Sequence, residues 1–305
     1  MTLQIVATGL AFPEGPVALP DGDVLLVEVM GGKLSRVSPD GKVTCVAELG
    51  GGPNGAAIGP DDRAYVCNNG GMGPSVSEEI LLPGEAPFET LPGSIQVVDI
   101  TTGAFETLYA HSEATPFWGP NDLVFDSSGG FWFTDHGRDR GRVRIKGGLY
   151  YARADGSNCE EMAHGMLDSA NGVGLSADGS LLYVADTHSG HLWRFRLTEA
   201  GEIDRAAGQF PHGGAIIGRA GPGQFLDSLA IDSTGNICVA SPGGSAILVF
   251  TPDGVLIRTI PTPDFLTTNI CFGGADLRTA YITLGSTGHL ARMEWDVPGL
   301  PLAYR

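Results

Sequence analysis

Six polar residues occupy one recurring position in this chain: Glu14, Asn54, Asn121, Asn171, Asp227 and Asn269. Each opens a short apolar run, and a turn residue follows seven places later, at Asp21, Asp61, Ser128, Asp178, Thr234 and Asp276. A register kept this strictly is not a product of free alignment. Two carboxylates and four amides brought to one place form a cage of hard oxygen donors. Buried carboxylates need a partner, and no Lys or Arg stands at an equivalent position. The implied chemistry is capture of one divalent cation, Ca2+ first, then Mg2+ or Mn2+. Zn2+ ranks last, because the set holds no Cys or His. Glu14 and Asp227 are the strongest members, whereas Asn54 and Asn269 either complete the cage or line a pocket. Taken singly the amides have a plainer role: Asn-Gly at 54–55 and 171–172 is an ordinary turn-forming pair.

A cation held this way polarises a carbonyl oxygen and stabilises the oxyanion formed when water attacks. Asp227, a carboxylate able to touch both cation and water, is the expected general base. Asp122 is the second candidate, since it follows Asn121 where the other repeats have Gly, Ser or Ile. Its alternative role is a cap on the start of a strand. His136 and His188 fall on neighbouring loops, as substrate contacts or proton shuttles, or simply as solvated side chains. Asp135 and Asp186 recur at strand ends, where they are expected to tie the following loops. Arg138, Arg140, Arg142 and Arg144 read as a solvated charged loop face. Nucleophilic catalysis finds no footing: there is no G-x-S-x-G elbow, and Ser228 has no His partner in sequence.

The elements that must position these residues follow from the same repeat. Each polar residue leads an apolar strand, a turn of the Asp-Gly type and a second apolar strand such as Val24-Leu25-Leu26-Val27 or Phe131-Trp132-Phe133. A Gly-rich loop and further strand-like runs come next. Four short strands per unit of about 40 to 60 residues predict propeller blades. Six such units predict an all-β, six-bladed β-propeller as a single domain over residues 1–305. The sixth unit runs out of strands near Trp295, and Leu3–Ala7 has no blade of its own, so it is expected to supply the missing outer strand and close the ring. The leading residues then circle the central channel at one end, joined there by the loops between second and third strands. The longest of these, 68–93, has the length of a lid or binding loop.

Bulk composition narrows the partners. A net charge of −17 disfavours nucleic acid and anionic membranes. The N-terminus lacks the basic and apolar regions of a signal peptide, and a cytoplasmic location is expected. Five widely spaced cysteines without a C-x-x-C pair read as buried free thiols.

Phe-Pro-Glu-Gly-Pro at 12–16, Pro-Asn-Asp at 120–122, Ala-Asn-Gly at 170–172, Leu-Asp-Ser-Leu-Ala-Ile-Asp at 226–232 and Cys-Phe-Gly-Gly at 271–274 resemble the SMP-30/gluconolactonase/LRE-like family. That group includes regucalcin, bacterial sugar lactonases and, more distantly, squid-type diisopropylfluorophosphatase. The resemblance runs from Phe12 onward and implies one catalytic divalent cation in the channel. It matches Glu14, Asn171 and Asp227 to metal ligands. Asn121 matches a residue that contacts substrate in the lactonases and metal in the phosphatase-like members. Regucalcin-like members carry an Arg two residues before that Asn, where this chain has Gly119. Their loop acid has no counterpart among Asp135, His136, Gly137 and Arg138. Both are sugar-contacting positions. Trp118, Phe117, Leu81, Leu82 and Phe88 suit a more apolar or aromatic ring. The expected substrate is therefore a small lactone, sugar or aromatic, with Asn54, Asn121, Asn269, Trp118, His136 and His188 around it. The rival readings are an aryl esterase or organophosphate hydrolase on the same site and a non-catalytic metal- or ligand-binding propeller.

Overall fold

The computed structural model describes residues 2–77, 79–86, 90, 92–113 and 115–305. Six antiparallel sheets surround a central channel, each led by an inner strand: Pro13–Ala18, Pro53–Ile58, Pro120–Phe125, Ala170–Leu175, Leu229–Ile231 and Thr267–Gly273. This is a six-bladed β-propeller with four-stranded blades, as the repeat predicts. The sixth blade takes its outer strand, Gln4–Ala7, from the N-terminus, paired antiparallel to His289–Glu294. That pairing closes the ring.

The second strands explain why the sequence shows continuous apolar runs instead of alternation. Val24–Glu28, Ala64–Asn68, Gly130–Asp135 and Ile237–Ser241 are buried at every residue, because both faces of each sheet pack on neighbouring blades. The core is accordingly split into six apolar seams, one between each pair of blades. Trp132, Trp193 and Phe195 fill the seam between the third and fourth blades. Phe117, Phe131, Phe133 and Tyr65 fill that between the second and third. Phe117 therefore belongs to the core, edge-on to Phe133 and Tyr150, and not to a substrate pocket.

The inner strands carry a shared irregularity where the polar residues stand. Pairing slips by one residue between Glu14 and Val17, Pro53 and Ala56, Pro120 and Leu123, Ala170 and Val173, and Thr267 and Asn269. A bulge turns side chains that strict alternation would send to opposite faces. The Asn-Gly pairs at 54–55 and 171–172 lie inside these strands and form no turns. Their glycines serve close approach. A Cβ on Gly55 would stand 2.5 Å from the Asn121 carbonyl oxygen and 2.8 Å from Asp122 Oδ1. One on Gly172 would stand 2.6 Å from the Leu229 nitrogen.

A second ring of polar residues pins the loops that enter the inner strands. Glu28 accepts from the Ala11 N–H at 2.8 Å, Asn68 from Gly52 at 2.9 Å, Asp135 from Trp118 at 2.7 Å and Asp186 from Asp168 at 2.7 Å. The fifth blade reverses the polarity, with Ser241 Oγ donating to the Phe225 carbonyl at 2.9 Å. In the sixth, Asp264 on the entering loop accepts from the Ser286 and Thr287 hydroxyls. Asp135 and Asp186 also accept from Gly137 and Ser189 in the loops that follow them, the role their strand-end positions predict.

Loop 68–93 extends over the channel mouth. Its strands Gly73–Ser75 and Pro83–Gly84 pair as a small hairpin. The Leu81 N–H donates to the Ser286 carbonyl of the sixth blade at 2.8 Å, and Glu85 accepts from Gly141 of the third at 2.6 Å. Phe88, expected to face substrate, lies outside the described residues. At the opposite end, residues 298–304 cross beneath the channel. Leu300 donates to the Ile231 carbonyl at 2.9 Å, and Tyr304 packs edge-on against Phe125 at 5.6 Å.

Candidate metal centre

Five bulged inner strands, and the loop entering the unbulged fifth, bring the six recurring residues to the channel mouth. Glu14, Asn54, Asn121, Asn171 and Asn269 are buried, while Asp227 keeps partial exposure just ahead of its short strand. Asp122 is buried beside them. The charges of Glu14, Asp122 and Asp227 act on one another, and no Lys or Arg pairs with any of the three among the described residues.

The electrostatics record that conflict. Burial, with Asp227 and then Asp122 nearby, holds the Glu14 carboxyl well above the usual carboxylate range. Hydrogen bonds from Asn269 and the Gly15 N–H oppose the rise without cancelling it. Burial likewise pushes Asp227 up to about 8, against a hydrogen bond to Asn171, with the Asp122 charge adding to it. Asp122 is pushed up to about 7 by burial, against bonds to the Leu123 N–H and Ser228. Three carboxylates that are reluctant to ionise together have room for a positive charge.

The bonds among the ring residues show which oxygens remain free. Asn269 spends both ends of its amide, Nδ2 on Glu14 Oε2 at 2.8 Å and Oδ1 on the Ile270 N–H at 2.7 Å. It positions Glu14. Asn171 Nδ2 donates to Thr187 Oγ1 at 3.0 Å, which turns its Oδ1 toward the Ser228 hydroxyl at 3.4 Å. Asn121 Oδ1 is buried with no hydrogen-bond partner. A buried acceptor left alone is costly unless a cation or a water meets it. Asp122 accepts from the Leu123 N–H at 2.9 Å, as a strand-start cap would, while facing the other two carboxylates. That bond is the strand-start cap expected of it.

The donor set therefore fits a hard cation held by carboxylate and amide oxygens together. Among the described residues, no group of three or more His, Cys, Asp or Glu side chains is placed to hold a metal by itself. A cation held here would have to draw on the amide oxygens as well.

Around this centre the other expected residues divide. Trp118 is half-buried, with the Arg140 guanidinium over its ring at 5.8 Å. His136 and His188 meet edge-on at 5.3 Å, His136 half-buried and His188 exposed. Burial, with the neighbouring Arg144 and His188 charges, pushes His136 down to about 3, which favours the neutral ring. The four arginines do not form one solvated face. Arg138 is buried and donates to the Asn69 carbonyl, and Arg144 donates to the His136 and Asp168 carbonyls. They staple the lid base and the fourth-blade loop, because bulged loops leave carbonyls that need buried donors.

Three further residues support the centre. Thr134 Oγ1 accepts from the Asp122 N–H at 3.1 Å and donates to the Asn171 carbonyl. Thr187 orients Asn171 and Ser228 reaches both Asn171 and Asp122. Thr187 follows the recurring strand-end acid Asp186, which is the one trace of its role in the sequence.

Comparison with known proteins identifies the family and the fold. The pattern of the SMP-30/Gluconolactonase/LRE-like region matches residues 12–286. A lactonase, drp35, from Staphylococcus haemolyticus is 34% identical over 265 residues, covering 86% of this chain and 72% of the relative. A gluconolactonase from Zymomonas mobilis is 25% identical, covering 89% of this chain and 76% of the relative. Among solved structures, a gluconolactonase from Xanthomonas campestris superposes with a TM-score of 0.75 at 23% identity, covering 96% of this chain and 89% of that one. The calcium-binding protein regucalcin from Agrobacterium tumefaciens does so with a TM-score of 0.74 at 19% identity, covering 98% and 95%. The chain belongs to the SMP-30/gluconolactonase/LRE-like family.

Proposed function

We propose that this protein is a lactonase that hydrolyses a small lactone at the channel mouth with one divalent cation, Ca2+ foremost, held by Glu14, Asn121, Asn171 and Asp227. The observation that carries this reading is the pairing of mutually opposed buried carboxylates with the partnerless Asn121 Oδ1. When bound, the cation would neutralise those carboxylates and polarise the lactone carbonyl.

The chain's own groups supply the rest. Asp227, partly exposed at the mouth, accepts the proton that water loses as its oxygen bonds to the carbonyl carbon. The proton then passes to the ring oxygen as the C–O bond breaks, leaving a hydroxy acid. Burial keeps Asp227 basic, and the like charge of Asp122 behind the ring adds to it. Ser228 and Thr187 fix the Asn171 amide, and Asn269 fixes Glu14.

An apolar or aromatic lactone suits the mouth better than a polyol. Exposed Met72, Val76 and Ile80 stand on the lid, and exposed Phe225 and Phe265 on loops entering the fifth and sixth blades. With Trp118 they offer apolar surface where a sugar would need polar partners. The relatives named lactonase and gluconolactonase support the reaction class. The test is proton release from a sugar lactone, a fused aromatic lactone, an aryl ester and a phosphotriester, with and without chelator. Chelator-sensitive turnover, fastest on the aromatic lactone, is expected. Turnover of none of them, or turnover untouched by chelation, contradicts the reading.

A further inference from the structure

Two buried hydroxyls stand at one recurring position of the second strands. The residue before the last of each is Val27, Cys67, Thr134, Ala185, Ala240 and Thr283 in blade order. The two threonines lie on the third and sixth blades, opposite one another across the ring, and both are fully buried. Thr134 Oγ1 donates to the carbonyl of Asn171, the ring residue of the next blade. Thr283 Oγ1 reaches its next blade through one more hydroxyl, that of Thr268 at 2.8 Å. Thr268 Oγ1 lies 3.0 Å from the Pro13 carbonyl and 3.4 Å from the carbonyl of Thr283. The nearer acceptor takes its single proton, so Thr283 donates to Thr268 and Thr268 to Pro13.

The bulge of the sixth inner strand places Thr268 for this. Pairing slips between Thr267 and Asn269, which leaves Thr268 as the extra residue. Its two polar ends then turn to both neighbouring blades. The hydroxyl holds Pro13, which precedes Glu14 of the first blade. The carbonyl accepts at 3.2 Å from the N–H of Ser228, which follows Asp227 of the fifth. The next residue, Asn269, holds the Glu14 carboxylate itself. One buried residue thus bridges the backbones that carry the two charged members of the ring. Those two charges oppose one another, so the strands that carry them need a tie.

We infer that Thr268 is a positioning residue for the cation centre, whose hydroxyl and carbonyl fix the separation of Glu14 and Asp227 to suit one Ca2+. This role rests on the proposed cation site, whereas the bonds that perform it are Thr268's own. Ca2+ takes oxygens at about 2.3–2.6 Å and Mg2+ at about 2.0–2.1 Å, so a fixed spacing of the two carboxylates favours one ion over the other.

The test compares the full chain with Thr268→Val, Thr268→Ser and Thr262→Val. Valine keeps the branched shape and loses both hydroxyl bonds, while serine keeps the hydroxyl. Thr262 is the control in the same blade: its buried hydroxyl bonds to Thr267 and the Asp264 carbonyl and reaches no ring residue. In calorimetric titration Thr268→Val should weaken Ca2+ binding about tenfold and Mg2+ binding less, so that selectivity falls. Thr268→Ser should stay within about twofold of the parent. Thr262→Val should lower the melting temperature and leave Ca2+ affinity unchanged. A second readout needs no cation. In crystals of the chelated chain, the Glu14 carboxyl should shift relative to Asp227 in Thr268→Val and return to its parent position in Thr268→Ser. Unmoved Glu14 and Asp227 in Thr268→Val, or equal losses of Ca2+ affinity in Thr268→Val and Thr262→Val, would overturn the inference. A parent chain that binds no Ca2+ would contradict the cation site instead, and the chelated crystals would still decide the role of Thr268.

Discussion

Asn269 donates through Nδ2 to Glu14 Oε2 at 2.8 Å, so the last blade's ring residue holds the first blade's acid across 255 positions of sequence. The bond lies beside the blade that the N-terminal strand completes, and joins closure of the fold to preparation of the site. Asn269→Ala removes the donor and leaves Glu14 with the Gly15 N–H alone. The expected loss is about 1–3 kcal/mol of stability in denaturant titration, with cation affinity reduced about tenfold.

Asp227 and Asp122 are separable by kinetics. Asp227→Asn removes the proton acceptor and is expected to lower kcat by about 100-fold or more, since general base catalysis is worth roughly 10²–10⁴. Asp122→Asn removes only a neighbouring charge and should shift the pH profile of Asp227 downward, with a smaller loss in kcat. Equal losses in both variants, with unshifted profiles, would assign the two carboxylates the same role.

The buried carboxylates also set a pH dependence of stability without cation. Asp122 and Asp227 rise to about 7 and about 8 in the folded state, above their unfolded values. The folded chain therefore binds more protons than the unfolded chain between about pH 4 and pH 8. The stabilisation from their protonated forms is full below pH 4 and is lost as pH rises toward 8. In chelator, the melting temperature contributed by these groups should fall over that window. Asp227→Asn should flatten the fall and leave the chelated protein more stable than the parent at pH 8. Thermal scans at stepped pH measure both.

Gly55 and Gly172 test the packing of the ring. Neither has the left-handed backbone that favours glycine, so an added methyl acts by contact alone. Gly55→Ala drives Cβ against the Asn121 carbonyl and Asp122. A cost of about 1–3 kcal/mol is expected, with a larger loss of activity than of stability, because the displaced residues are the site's own. The same methyl at the exposed turn Gly179 meets nothing within 4 Å; its cost there is backbone strain, at φ +69°, and the site should be untouched.

How far the sequence reveals these features depends on periodicity. Blade number, ring closure and the ring residues are legible because one register repeats six times, and closure needs only a surplus strand at one end and a deficit at the other. The bulges are not legible, although they bring Asp122 in beside Asn121, since a one-residue slip leaves composition unchanged. Asn-Gly reads as a turn by local preference, whereas packing of Gly55 and Gly172 against neighbouring blades decides the outcome. Arg138 and Arg144 read as solvated because their acceptors are loop carbonyls far along the chain. The segment that floors the channel, 300–304, has no repeat to announce it.

The central claim is that the opposed carboxylates and the free Asn121 oxygen form one cation site on which turnover depends. Calorimetric titration of the chelator-treated chain with Ca2+, run alongside lactone hydrolysis, tests it most directly. One tightly bound ion per chain is predicted, with activity returning in proportion to occupancy. Both should be lost in Glu14→Gln and in Asp227→Asn, each of which should remain folded. Undiminished Ca2+ binding in both variants, or hydrolysis by the fully chelated chain, would contradict the account.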